Sequence, residues 1–313
     1  MNTIWSTYIQ SIGTLYLSRL LRFSDTFKEK YMDAFDIEDG KNVLEIGCGP
    51  GALSQSLHRW YPNSNITGID RDSNFIRFAK EQTPYLDFLE DDAVNLSFDN
   101  NTFDVSISNT VAEHIEPSAF FGEQYRVLKP GGVCLVLSSR RGVNIQAPCI
   151  REQNEFEKNI WQRVEGRCQD IDKKYNVCAY SMDESEYPRC MEKFGFINVS
   201  TVYITINLTP DNPSYSKETA YKMINANRQT ALDGIEFLKT IASDIVSSDE
   251  ITELTRLTND KYRKRIKLYD AGIKQWDTDV SVIMVMRGIK LKGRLHACLL
   301  VCPLKVPSAG TNI

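Results

Sequence analysis

The sequence predicts an α/β fold in which helices cover both faces of a mostly parallel sheet. Short apolar runs at 41–47, 65–70, 103–109 and 132–139 have the length and composition of buried strands, and helical stretches separate them. This alternation of strand and helix is typical of a parallel sheet. A glycine-rich turn follows the first run, at the position where such sheets bind ligands.

The second half of the chain predicts two more strands around a helical insertion. β-branched residues at 199–208 and 279–288 indicate strands that pair antiparallel, and residues 216–275 between them carry two helical periods. A helix at 183–196 is expected to end at Gly195.

The remaining segments differ in how strongly their pattern predicts structure. Residues 5–21 space their apolar side chains by three and four, which predicts an amphipathic helix before the first strand, whereas 150–180 is polar and irregular. We predict five units in chain order, namely an N-terminal helical lid (1–36), a core (37–215), a helical insertion or cap (216–276), the last core strand (277–290) and a tail (291–313).

Composition excludes several classes of partner. The net charge of −4 offers no basic surface to a phosphate backbone, so we expect no nucleic-acid partner. The eight cysteines include no CxxC pair, so we expect no metal site, and reduced thiols fit a cytoplasmic protein. The sequence contains no stretch of ~18 consecutive apolar residues, so we expect no membrane span.

The clearest motif is VLEIGCGPG at 43–51, where a strand runs into Gly47, Gly49 and Gly51 and then into a helix. Glycines allow a tight turn with positive φ and let a ligand lie against bare backbone. The same turn satisfies the dinucleotide pattern GxGxxG/A. Asp70 ends the second strand 19 positions after Gly51 and suits ribose hydroxyls. NAD-dependent oxidoreductases share both features, so that activity stays open on these residues.

Two further segments decide between the cofactors. EDDAVNLSFDNNTFDVSISN at 90–109 and EQYRVLKPGGVCLVL at 123–137, with the glycine turn, resemble class I S-adenosylmethionine-dependent methyltransferases that act on small molecules. Their common forms are DAxxLPF, SFDxV and RVLKPGG, and Ser97 stands where the first often has proline. The resemblance implies a Rossmann-like seven-stranded sheet, S-adenosylmethionine as cofactor and S-adenosylhomocysteine as product.

The resemblance also implies a set of cofactor-binding residues. The glycine backbone would support the methionine part, Asp70 the ribose, and Asp92 the adenine amino group. The full set is Glu45, Gly47, Cys48, Gly49, Gly51, Asp70, Arg71, Asp91, Asp92, Ala93, Asn109 and Thr110. The negative charge of Glu45 favours a sulfonium and an ammonium over a pyrophosphate.

A sulfonium methyl is already activated, so in-line transfer mainly requires positioning of the acceptor. His114 follows the fourth strand and is the candidate general base. Tyr8, Tyr16, Arg19 and Arg22 could close over the cofactor from the first helix. The insertion fits either an acceptor-binding cap or the face of a homodimer. A protein that binds the cofactor without catalysis remains an alternative, because the fold and the motif indicate cofactor binding more directly than they indicate a reaction.

Overall fold

The computed structural model describes residues 2–140, 145–147 and 149–292. Its eight-stranded sheet has the order β3-β2-β1-β4-β5-β8, and both β6 and β7 pair with β8. Strands β1 to β5 are parallel and β8 is antiparallel to its neighbours. The strands are β1 Asn42–Ile46, β2 Asn65–Asp70, β3 Asp87–Glu90, β4 Phe103–Asn109, β5 Leu128–Ser139, β6 Ile145–Gln146, β7 Phe196–Leu208 and β8 Asp279–Lys290.

Helices cover both faces of this sheet. They are α1 Ile12–Arg22, α2 Lys28–Phe35, α3 Ala52–Trp60, α4 Ser73–Gln82, α5 Pro117–Val127, α6 Glu155–Lys174, α7 Glu186–Lys193, α8 Lys217–Ile241 and α9 Ser248–Asp270. Successive side chains of a strand point to opposite faces, so Val43 packs with α2 and α3 while Leu44 packs with α5 and α7. The predicted α/β class with a seven-stranded, mostly parallel sheet is confirmed, with the two-residue β6 added.

The N-terminal helix predicted at 5–21 is interrupted. Trp5–Ile9 form a π-helical turn, Gln10 is extended with φ −152°, and α1 begins at Ile12. Ser11 caps α1 because its hydroxyl accepts a hydrogen bond from the Thr14 amide. The spacing of the apolar residues does not reveal this break. A serine at the cap position is nevertheless a known signal for the start of a helix.

The prediction that 150–180 is irregular is wrong, because α6 occupies 20 of these residues. Its N-terminus has a reciprocal capping box, in which Asn154 accepts from the Glu157 amide and Glu157 accepts from the Asn154 amide. Its buried apolar residues are few, chiefly Ile160 and Val164. A helix with so narrow an apolar stripe gives a weak periodic signal.

The predicted helices of the insertion are present as α8 and α9, and α6 packs with them. The three helices share an apolar cluster that includes Ile160, Val164, Ile235, Leu238, Ile251 and Leu254. The sequence therefore predicted two of these three helices. From here on, the helical cap means α6, α8 and α9 together, which is a larger unit than the cap predicted at 216–276.

A buried ion cluster fixes the helical cap to the sheet. Arg265 of α9 is fully buried and its Nη2 lies 2.8 Å from Asp211 Oδ2 and 2.7 Å from Asp277 Oδ1. Asp211 follows β7 and Asp277 precedes β8, so the pair closes the base of the insertion. Within the described residues, no helix is long and apolar enough to cross a membrane. Of the predicted tail, only 291 and 292 are among the described residues.

Candidate cofactor and acceptor site

A cavity of about 350 Å³ opens at the carboxyl ends of β1, β2, β3 and β4. All of the predicted site residues except Gly51 line it, namely Glu45, Gly47, Cys48, Gly49, Asp70, Arg71, Asp91, Asp92, Ala93, Asn109, Thr110 and His114. These residues come from four separate segments, and the parallel sheet brings the segments together because it aligns its strand ends at one edge.

The glycine turn keeps the cavity open. Gly47 has φ +68° and Gly49 has φ +54°, a region that favours glycine. A Cβ on Gly47 would overlap Val111 Cγ2. Gly51 differs, since its Cβ would meet Phe88 Cζ at 2.9 Å, and it caps α3 away from the cavity wall. Gly51 is therefore packed against Phe88, and its contact with the cofactor stays a prediction.

Glu45 requires a correction to the charge argument made from the sequence. The side chain is buried and accepts a hydrogen bond from Ser54 Oγ. Burial raises the pKa of Glu45 to about 8. The carboxyl is mostly neutral at pH 7 in the absence of a ligand, so a standing negative charge there does not exclude a pyrophosphate.

Asp70 shapes the turn as well as the cavity. Its Oδ2 accepts from the Gly49 amide at 2.9 Å and its Oδ1 from the Asp72 amide at 2.8 Å. Burial raises the pKa of Asp70 to about 6, so the carboxylate is largely ionised at neutral pH. Each oxygen keeps a second lone pair for a hydroxyl donor.

The segment after β3 is organised by Asp91. Its Oδ2 accepts from the Ser97 amide at 3.0 Å and from Ser97 Oγ at 2.8 Å, and its Oδ1 accepts from the Asp92 amide. The serine that replaces the common proline thus contributes two hydrogen bonds to this turn. Asp92 is exposed at the cavity rim, with Ala93 beside it.

At the end of β4 the backbone is strained. Thr110 has φ +54°, which is unusual for a β-branched residue and often accompanies function. Its hydroxyl donates to the Asn109 carbonyl at 2.7 Å and accepts from Arg19 Nη2 at 2.8 Å. The Asn109 side chain is 8% exposed, and its Oδ1 has no hydrogen-bond partner among the described residues.

The His114 ring is held in one tautomer. The Cys178 amide donates to His114 Nδ1 at 2.9 Å, so the neutral ring carries its proton on Nε2. Taking up a further proton at Nδ1 requires breaking that bond. The general-base role of His114 stays a prediction. Trp5 packs edge-on against the ring with centroids 4.6 Å apart.

The cavity wall also includes residues of the N-terminal segment and of the loop between α6 and α7. Trp5, Gln10, Leu15 and Arg19 line the cavity from the N-terminal segment, and Asn176 and Tyr180 line it from the loop between α6 and α7. Of the four N-terminal residues considered from the sequence, Arg19 lines the cavity and Tyr8, Tyr16 and Arg22 do not.

The N-terminal segment is fastened to both the core and the helical cap. Ser6 donates through its amide and hydroxyl to Asp72, at 2.7 and 2.9 Å, and Asp72 also caps α4. Tyr8 stacks on Tyr175 at the end of α6, with ring centroids 5.5 Å apart. The cavity is therefore closed over by residues 2–22 in this structure.

Residues 44–136 match the family described as a methyltransferase domain. The chain contains a methyltransferase domain. The matched range begins in β1 and ends in β5, so it includes the glycine turn and most of the cavity wall. The resemblance given by the sequence motifs is confirmed.

Similar proteins share this domain over part of their length. The chain is 41% identical over 97 residues to a phthiotriol/phenolphthiotriol dimycocerosates methyltransferase of Mycobacterium tuberculosis, which covers 30% of this chain and 36% of that protein. It is 37% identical over 109 residues to a fatty-acid O-methyltransferase of Mycolicibacterium smegmatis, covering 34% and 39% respectively. The chain thus matches less than two-fifths of these relatives' length.

One solved structure with a similar fold is Haemonchus contortus phosphoethanolamine N-methyltransferase 2 in complex with S-adenosyl-L-methionine. It is 15% identical, with a TM-score of 0.49, over 93% of this chain and 60% of that one. At this identity we draw no functional conclusion from the likeness.

Proposed function

We propose that this protein transfers a methyl group from S-adenosylmethionine to a small-molecule acceptor. The observation that carries the proposal is that the methyltransferase domain at 44–136 supplies the glycine turn, Asp70, Asp92 and Asn109 to one cavity. A dinucleotide enzyme would need only the first two of these features.

The residues of the cavity fit this cofactor. The bare backbone at Gly47 and Gly49 admits a ligand, and the buried Asn109 Oδ1 offers an acceptor that no described residue uses. The volume of about 350 Å³ is near the lower end of the ~300 to 1,000 Å³ usual for small-ligand sites. We assign Asp70 to the ribose and Asp92 with Ala93 to the adenine.

When bound, the cofactor supplies an activated methyl on a sulfonium. The chain's own task is then to orient the acceptor and exclude water. Trp5, His114 and Tyr180 line the same cavity, and we assign them to the acceptor. His114 holds this wall in place through the Cys178 amide.

We propose that residues 1–36 act as a lid and that the helical cap determines which acceptor binds. The cap lies outside the matched domain, and the loop that follows α6 contributes Asn176 and Tyr180 to the cavity. The named relatives are a fatty-acid O-methyltransferase and a phthiotriol/phenolphthiotriol dimycocerosates methyltransferase, whose matches cover 34% and 30% of this chain. We propose a cytoplasmic location, in keeping with the free thiols of the described cysteines.

Calorimetric titration with S-adenosylmethionine and S-adenosylhomocysteine tests the proposal. We expect saturable binding to the wild type and at least ~10-fold weaker binding to Asp70→Ala and to Asp92→Ala, because each loses hydrogen bonds to a charged group. Asp99→Ala is the matched control, because Asp99 is exposed and is not among the residues that line the cavity. Binding of NAD without binding of either sulfur compound would overturn the proposal.

A further inference from the structure

β7 is a long edge strand with one open side. It spans Phe196–Leu208, and among the described residues β8 is the only strand that pairs with it. Its register with β8 shifts between Ile197 and Ser200 and is regular from there to its end. The strand FINVSTVYITINL contains no charged residue and no proline, the usual protections of an edge whose free N–H and C=O groups could pair with another chain.

The free backbone groups of β7 belong to alternate residues. Thr205 lies opposite Val282 of β8, and its carbonyl accepts from Lys30 Nζ of α2 at 3.4 Å. The Val282 carbonyl is also turned away from β7, since it accepts from the Arg140 amide at 3.0 Å. Thr205 therefore points its backbone groups away from β8, and every second residue of an antiparallel strand does the same. In the middle of β7 these residues are Thr201, Tyr203 and Thr205.

The order of residues in the middle of β7 is nearly symmetric. Around Tyr203 the sequence TVYIT has one threonine at each end and one β-branched apolar residue on each side. A second copy that runs antiparallel about Tyr203 places threonine opposite threonine, Val202 opposite Ile204, and Tyr203 opposite its own copy. Threonine pairs and aromatic pairs stabilise neighbouring strands, and β-branched side chains pack well on a pleated surface.

Two charges without a salt bridge lie beside this part of the strand. Lys30 and Asp33 of α2 are exposed and line a groove along 202–205, and neither forms a salt bridge with any residue that the structure describes. A two-fold axis at Tyr203 brings the groove against the same groove of the second copy, where the two charges come in reverse order. Each lysine can then face an aspartate, so the surface is complementary to itself in charge.

We propose that β7 is the interface between two copies of this chain, which pair antiparallel about Tyr203 and join their sheets into one. This surface differs from the helical insertion, which the sequence offered as the face of a homodimer. The cofactor cavity lies at the carboxyl ends of β1 to β4, and no residue of β7 lines it, so the pairing leaves the cavity accessible. The inference therefore does not depend on the proposed function.

The test places charges at the centre of the proposed pair. Sedimentation velocity at several concentrations measures the dissociation constant of the full chain, and we expect a dimer. Tyr203→Lys and Tyr203→Glu should each weaken self-association by at least ~10-fold, because like charges then lie directly opposite each other. An equimolar mixture of the two variants should return to within ~3-fold of the wild type, since lysine then faces glutamate. Tyr203 is 50% exposed, so neither substitution opens the core.

Tyr85→Lys is the matched control. Tyr85 is 67% exposed and precedes β3, at the other edge of the sheet, so this variant should associate like the wild type. Hydrogen exchange gives a second measurement. The amides of Thr201, Tyr203 and Thr205 should exchange more slowly as the concentration of the wild type rises, and Tyr203→Lys should abolish that dependence.

Four results would overturn the inference. The first is a wild type that stays monomeric at every concentration measured. The second is self-association that both single variants retain, which would assign the contact to another surface. The third is a mixture that associates no better than the single variants, which would exclude pairing about Tyr203. The fourth is slow exchange of the three amides in the monomer, which would show that another part of the same chain covers the edge.

Discussion

Cofactor binding should release a proton from Glu45. In the ligand-free cavity, burial raises the pKa of this carboxyl to about 8, so it is almost wholly protonated at pH 6. A bound ligand that carries sulfonium and ammonium charges favours the ionised form of a nearby carboxyl. Affinity for S-adenosylmethionine should therefore rise with pH until the carboxyl ionises without help.

The raised pKa of Glu45 sets the size of the effect. With a pKa of about 8, ~1% of the carboxyl is ionised at pH 6 and ~50% at pH 8, so apparent affinity should rise by up to ~50-fold across this interval. Asp70, whose pKa burial raises to about 6, adds a smaller increase near the lower end. S-adenosylhomocysteine, which has no sulfonium charge, should show a shallower rise.

The assay is isothermal calorimetry at pH 6, 7 and 8 in two buffers of different ionisation enthalpy, which counts the protons released. Glu45→Gln keeps an oxygen for the Ser54 hydroxyl and cannot ionise, so its affinity should be flat between pH 7 and 8. Wild-type affinity that does not change between pH 6 and 8, with no proton release, would refute the assignment of Glu45 to the cationic part of the ligand.

The raised pKa of Glu45 also predicts how the stability of the ligand-free protein depends on pH. Because the folded pKa is raised, protonated Glu45 contributes fully below its ordinary value of 4.5, and the contribution is lost as pH rises through about 8. At 1.36 kcal/mol per pH unit, the loss is at most ~5 kcal/mol. Glu45→Gln should unfold at higher urea concentration than the wild type at pH 8 and show no gain at pH 4.

Three other substitutions test separate parts of the structure. Gly47→Ala should weaken S-adenosylhomocysteine binding by ~10-fold or more, because the added methyl would overlap the side chain of Val111. Adding Val111→Ala should restore part of the affinity. An unchanged titration for the single variant would contradict this prediction. Arg265→Met should lower the unfolding free energy by ~3 to 5 kcal/mol in urea, because two buried aspartates lose their partner, and a loss below ~1 kcal/mol would exclude that role. Ser6→Ala should accelerate hydrogen exchange of 2–9 by up to ~10-fold with global stability unchanged, since one bond to Asp72 is removed, whereas equal exchange would show that the hydroxyl does not fasten the lid.

The central strands could be predicted because they are buried on both faces and read as continuous apolar runs. β3 could not, since of its residues only Phe88 is buried and it lies at the edge of the sheet. The helix α6 was missed for a related reason, although Asn154 and Glu157 carry the capping-box pattern that marks its start.

The residues of the site also fall into some that the sequence predicts and others that it does not. Residues such as Asp70 and Asn109 each end a strand, so the topology alone places them at one edge of the sheet. Trp5 and Tyr180 line the cavity because of how the N-terminal segment and the loop after α6 pack. The spacing of residues along the chain does not specify that packing. The packing of Gly51 against Phe88 is a further feature that the glycine motif does not reveal.

A crystal structure of the protein grown with S-adenosylhomocysteine tests the central claim most directly. We predict density for the ligand against the glycine turn, with the ribose at Asp70 and the adenine at Asp92. Crystals that contain the ligand elsewhere, or that bind a dinucleotide in this cavity and not S-adenosylhomocysteine, would contradict it.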